Sequence, residues 1–268
     1  ISIFLLCEIK MKKQDVIFHS FVVITALLGS IILLVSTLQG MGVGGDATIY
    51  LTTARNMLAG NGMGLLGPKG EFRLIPYAPP FFSIILSFFG LFHFDLVSAD
   101  KFLNLLFYFA FILWIGESLF WLTKSRWVAW ITAVLFTFSP VMIPVYSWVM
   151  TEPPLLFFGF GGLILLLVYL FRNNQRWLFY ASAVGVGLAF VTHYKAAPFL
   201  LTGALVVLFF SRGKWLDRFK EAFVYGLLGF IPMIAWLVYS VPLTSGLASR
   251  SLVDVQGMAA KIANLIDL

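Results

Sequence analysis

Asp46, in the run Gly44-Gly45-Asp46-Ala47-Thr48-Ile49-Tyr50, stands just past the first stretch of chain long enough to cross a membrane. A carboxylate at a membrane boundary, beside an amphipathic segment, is a candidate for taking a proton or binding a cation. Two glycines precede it, and a helical stripe of Tyr50, Ala54, Met57 and Leu58 follows, ending at Gly60-Asn61-Gly62. That pattern predicts a helix with Asp46 in its first turn, where the backbone dipole favours negative charge. A plain helix cap and a reactive carboxylate both satisfy the spacing.

Glu152 occupies a comparable position in Trp148-Val149-Met150-Thr151-Glu152-Pro153-Pro154. Proline disfavours helix at the residue before it and suits the first turn of a new one, so Glu152 is expected to project from a helix start. It reads as a second site acid or as a solvated loop acid. His193-Tyr194-Lys195 falls in the next turn on the same face. A lysine there either meets a phosphate as a point charge or extends to lipid headgroups. No second histidine or cysteine accompanies His193, so no zinc pattern is visible. Glu71 and Arg73, in Gly70-Glu71-Phe72-Arg73, either line a site or pair with each other.

The elements that position these residues follow from composition. Of 268 residues, 60% are hydrophobic, 17% aromatic and only 11% charged, which no soluble domain of this length can accommodate. Mean hydropathy is +0.96. The apolar residues fall in blocks of bilayer-spanning length without the alternation of barrel strands, so the fold class is an all-α polytopic membrane protein. The net charge of +6 sits mostly in short loops and reports topology and contact with membrane lipids; no nucleic-acid partner is implied. The single cysteine, Cys7, excludes an intrachain disulfide framework.

Clear blocks cover residues 16–38, 99–122, 127–145, 154–171, 177–192, 196–210 and 222–241. The block at 79–94 opens with Pro79-Pro80 and is too short to span comfortably. If it lies in the interface, the loops at Lys124/Arg126, Arg172/Arg176 and Arg212/Lys214/Arg218/Lys220 join Lys10, Lys12 and Lys13 on one face, which the distribution of positive charge makes cytoplasmic. The expectation is about seven transmembrane helices plus two juxtamembrane helices in the first outer loop. Residues 1–15 form a cytoplasmic tail, with 1–10 read as an extension before Met11. Residues 16–243 form one transmembrane domain with an outer loop at 39–98, and 244–268 an outer segment, read as the start of a missing region. Asp46, Glu152 and His193-Tyr194-Lys195 then share the extracytoplasmic face.

Glu117 falls inside a span about two turns before Lys124 and is expected to pair with it or with the interface. Gly159, Gly161 and Gly162 are expected to serve close helix packing. Phosphate-loop, dinucleotide, metalloprotease and serine-hydrolase motifs are absent from the sequence. A transporter is disfavoured, since no span carries an acid or base at mid-depth and no broken helix pair repeats.

Four motifs in order, Asp46-x3-Tyr50-x3-Ala54-x3-Leu58-x-Gly60-x-Gly62, Tyr77-x-Pro79-Pro80, Ser147-x3-Thr151-Glu152-Pro153 and Thr192-His193-Tyr194-Lys195, resemble the N-terminal half of GT-C fold glycosyltransferases. The likeness runs over residues 12–243. It is greatest to the bacterial dolichyl-phosphate-mannose-protein mannosyltransferase-like and aminoarabinose-transferase-like group. It implies transfer of a sugar from a polyprenyl-phosphate-linked donor to an acceptor of unknown identity outside the membrane, with Asp46 and Glu152 catalytic. Glu71, Arg73, Tyr77, His193, Tyr194 and Lys195 are implied to bind substrate. Lys195 departs from the arginine of a Thr-Arg-Tyr sequence common in relatives.

A polyprenyl phosphate already leaves readily, so such an enzyme needs a base for the acceptor and a cation near the departing phosphate. Asp46 is expected to take the acceptor proton during inverting attack, and Lys195 to neutralise phosphate charge. Glu152 either orients the acceptor or shares a divalent metal ion with the phosphate; Asp46 and Glu152 are the ligands if there is a metal, although two carboxylates alone do not establish one. The alternative is a non-catalytic membrane scaffold or lipid-binding subunit that keeps the fold.

Overall fold

The computed structural model describes residues 13–66, 72–74 and 78–240. Glu71 and Tyr77 therefore lie outside the described residues. The chain is helical almost throughout: α1 (Lys13–Ser36), α2 (Gly45–Leu58), α3 (Phe81–Gly90), α4 (Leu96–Thr123), α5 (Arg126–Thr137), α6 (Met142–Ser147), α7 (Glu152–Phe171), α8 (Arg176–Thr192), a 3-10 turn (Tyr194–Ala196), α9 (Ala197–Phe210) and α10 (Trp215–Ser240). Between α2 and α3 a minimal antiparallel hairpin pairs β1 (Leu65–Leu66) with β2 (Phe72–Arg73), Leu65 opposite Arg73.

Among the described residues four stretches are long and apolar enough to cross a membrane: Asp15–Ser36 of α1, and the whole of α4, α7 and α10. Their outward faces are apolar, the reverse of a soluble helix. On α1 the side chains of Ile17, Phe21, Ile24, Leu28 and Ile31 recur at helical spacing and are all exposed, whereas Val22, Ala26 and Leu33 are buried.

Side-chain ties reveal which helix ends lie together. Lys101 near the start of α4 donates its Nζ to the Thr37 carbonyl after α1 at 2.8 Å. Arg126 at the start of α5 meets Asp15 near the start of α1 at 2.7 Å. Arg176 at the start of α8 meets Glu221 in the second turn of α10 at 2.8 Å. The Trp236 indole N–H near the end of α10 donates to the Tyr194 hydroxyl at 3.2 Å. The long elements thus run alternately up and down between two ends, one carrying residues 37–46, 148–152 and 193–195, the other the basic turns.

Two apolar clusters are the largest of five among the described residues. One holds Phe82, Leu86, Tyr108, Ile112 and Tyr146, joining the outer-loop helices to α1, α4 and α6. The other holds Leu166, Leu178, Phe179, Val186 and Tyr225, joining α7 to α10. Close approach of α7 and α8 depends on Gly162, where a Cβ would stand 2.9 Å from the Val186 backbone nitrogen.

Three expectations change. The block at 127–145 is not one helix: it breaks between Thr137 and Met142, because Ser139 precedes Pro140, which supplies no N–H to continue the ladder. Helix α10 starts at Trp215, a full two turns before the apolar run at 222, since Asp217, Arg218, Lys220 and Glu221 form an amphipathic lead-in. Glu117 does not pair with Lys124; its Oε1 lies 2.7 Å from His19 Nδ1 on α1, while Lys124 sits over the Trp121 ring. A partner on a facing helix satisfies the acid without bending its own.

Candidate active site at one end of the helices

Asp46 occupies the first turn of α2, whose N-cap is Gly44 in an extended conformation. Its side chain is exposed and takes no hydrogen bond among the described residues. The helix beneath it is anchored on its other face: Ala47, Tyr50, Leu51 and Ala54 are buried, the Tyr50 ring meets Phe82 of α3 at 5.3 Å, and Ser83 donates to the Tyr50 carbonyl at 3.1 Å. At its far end Gly60 and Gly62 adopt φ +78° and +94°, and Asn56 donates to the Gly64 carbonyl at 2.7 Å, turning the chain into the hairpin.

Glu152 opens α7 with Pro153 and Pro154 behind it, as its sequence position predicts. Its Oε1 lies 3.5 Å from Lys195 Nζ, with the lysine side chain largely exposed. Lys195 is held by the turn itself, where its backbone N–H donates to His193 Nδ1 at 3.1 Å.

His193 links the three acid-bearing and base-bearing segments electrostatically. Burial holds its pKa below the ordinary 6.5 and the Lys195 charge adds to this, while the Glu152 and Asp46 carboxylates act in the opposite sense. The ring is therefore neutral at neutral pH and free to accept from the Lys195 amide.

The two acid-bearing loops are joined by main chain. Gly42 N–H donates to the Ser147 carbonyl at 3.0 Å and Val149 N–H to the Gly42 carbonyl at 2.9 Å, a one-residue parallel bridge between Gly42 and Trp148. The Trp148 indole covers this strand so closely that any Cβ at Gly42 would collide with it. Beneath the bridge, Asn104 of α4 donates its amide to the carbonyls of Tyr146 at 3.1 Å and Trp148 at 3.2 Å. Asp100, one turn earlier and fully buried, accepts from the same amide at 3.3 Å. Replacing Asn104 with Leu should leave two buried carbonyls without a donor and lower stability by about 2 kcal/mol, read as a lower midpoint of thermal unfolding in detergent.

Asp100 and Asn104 were missed from sequence, yet a signal exists: two polar residues spaced i, i+4 inside an otherwise apolar span share a face and need partners. Arg73 belongs to β2, away from any helix start, so only its backbone register is defined. Tyr194, beside His193, turns inward to Trp236 rather than toward Glu152.

Among the described residues no group of three or more His, Cys, Asp or Glu side chains could hold a metal ion. A cavity of only about 10 Å³ lies under α2 between Thr53, Ser83 and Trp236, room for one water at most.

The family model described as dolichyl-phosphate-mannose-protein mannosyltransferase matches residues 55–245, which takes in β1, β2 and every helix from α3 to α10. Asp46 lies just before the matched region. No curated protein and no solved structure matches the chain.

Proposed function

Because the chain belongs to the dolichyl-phosphate-mannose-protein mannosyltransferase family, a family of GT-C membrane glycosyltransferases, we propose that it moves a sugar from a polyprenyl-phosphate donor to an acceptor at the membrane face bearing Asp46 and Glu152. One observation carries the reading: Glu152 and Lys195, from two helix ends, meet at 3.5 Å beside a histidine that also feels Asp46. A carboxylate base for the acceptor and a cation for the phosphate are what this transfer needs from a protein.

In the proposed mechanism the acceptor hydroxyl attacks the anomeric carbon as the phosphate departs from the opposite side, inverting the centre. Asp46 receives the hydroxyl proton. Lys195 offsets the charge gathering on the departing phosphate, and Glu152 holds Lys195 in place and orients the acceptor. A divalent cation, if bound, would be held by Asp46 and Glu152 and would offset the same charge.

The membrane arrangement belongs to the same proposal. We read α1, α4, α5 with α6, α7, α8, α9 and α10 as seven crossings, and α2 and α3 as lying at the surface. Support comes from α3, whose 10 residues reach about 15 Å, half a bilayer core. The basic turns gather at the other end, which makes that end cytoplasmic and the site extracytoplasmic.

The test is transfer of radiolabelled mannose from polyprenyl-phosphate mannose, and of other sugars on the same carrier, by the full chain in native membranes. Label delivered from one donor upholds the reading, and none from any donor overturns it. A pH dependence follows too. The His193 ring accepts the Lys195 amide only while neutral; its pKa lies below 6.5, so the turn is intact above that pH and loosens as pH falls through the lowered value. Transfer should therefore lose an acid limb in His193→Gln, measured as rate against pH beside the wild type.

A further inference from the structure

At the end of the helices opposite Asp46 and Glu152, a cavity of about 110 Å³ is lined by Tyr169, Asn174, Arg176, Ser211, Arg212 and Glu221. Helix α7 has 20 residues, so this cavity lies about 30 Å from Glu152 and is separate from the site described above.

Its walls are built for an anion. Arg176 is held in place by Glu221 at 2.8 Å, which neutralises the one carboxylate in the lining. Arg212 makes no ion pair among the described residues, and both guanidinium groups are near enough to the Tyr169 hydroxyl to act on it electrostatically. Ser211 is 2% exposed, and its hydroxyl, a donor, has no hydrogen-bond partner among the described residues. A buried unpaired hydroxyl is destabilising unless a ligand or water accepts its proton. The volume holds several waters and is sufficient for a phosphate group with its oxygens. In the chain segments flanking the lining residues, Arg172, Lys214, Arg218 and Lys220 add positive charge against the single acid Asp217. At the same level Trp177, Trp215 and Phe210 are exposed, the amphipathic belt of a membrane interface.

We propose that this cavity binds a phosphate group, carried by the headgroup of an anionic lipid, with Arg212, Arg176 and Ser211 as its donors. The site is independent of the transfer chemistry at the other end.

Native mass spectrometry of the delipidated full chain, titrated with dioleoyl phosphatidylglycerol, tests it, with dioleoyl phosphatidylcholine and inorganic phosphate as the other arms. Phosphatidylglycerol should bind in preference to phosphatidylcholine. Arg212→Gln should weaken it about tenfold, and Ser211→Ala several-fold; both positions are at a helix end, and thermal unfolding checks that each variant folds. If inorganic phosphate binds and protects through the same two residues while the lipid does not, the phosphate site stands with a soluble ligand. Phosphatidylglycerol binding unchanged in both variants, or absent in the wild type together with absent phosphate binding, overturns the proposal.

Discussion

Asp46→Asn is expected to lower sugar transfer by about 10²–10⁴-fold while the protein stays folded in the membrane. The carboxylate is exposed and takes no hydrogen bond among the described residues, so the isosteric amide removes a proton acceptor and little else. Cap stability is also spared, because Gly44, not Asp46, is the residue that caps α2. Radiolabel delivered to acceptor by wild type and mutant in native membranes, normalised to protein, measures the effect. Equal labelling would take Asp46 out of the chemistry and leave it a charged residue in a helix first turn. Labelling absent from the wild type, with the protein intact, would favour a scaffold that keeps the fold without the reaction.

Lys195→Ala is expected to raise the half-saturating donor concentration by about 10- to 100-fold, the worth of a charge-assisted contact to phosphate of roughly 1.5–3 kcal/mol. Stability should scarcely change, since the ion pair to Glu152 is exposed on the lysine side and such pairs contribute about 0–1 kcal/mol. Lys195→Arg should retain most of the affinity, because charge rather than shape carries the contact. The donor titration, repeated at raised salt, measures this. A Lys195→Ala protein with an unaltered donor curve would make the lysine an anchor for lipid headgroups.

The helix starts that hold Asp46 and Glu152 were legible beforehand. Gly44 and Gly45 before a helical stripe define the start of α2, and Pro153-Pro154 defines the start of α7, because both depend on local backbone restrictions. The shortness of α3 was legible for the same reason: Pro79-Pro80 closes it on one side and the turn at Leu91 on the other. What escaped was long-range. Glu117 has a basic neighbour, Lys124, at the end of its own helix, yet the packing of α1 against α4 brings His19 to it instead. The break at Pro140 was hidden inside a continuous apolar run, since hydropathy does not register a missing N–H. No periodicity signals the Gly42 to Trp148 bridge, a single pair of main-chain hydrogen bonds between distant segments. The cavity at Ser211 was equally hidden, for its walls come from α7, α8, α9 and α10 at once.

That bridge also bears on biosynthesis. Gly42 waits for a partner that leaves the ribosome about a hundred residues later, roughly 5–20 s at ordinary rates of synthesis. Through that interval the nascent segment ahead of Asp46 has an unsatisfied amide and carbonyl at the membrane surface, and only the arrival of Trp148 closes them. Insertion of α4, α5 and α6 must therefore precede the setting of the first acid. A chain released before that point would carry both a loose α2 and an open edge, a form that quality-control proteases can distinguish from the finished protein.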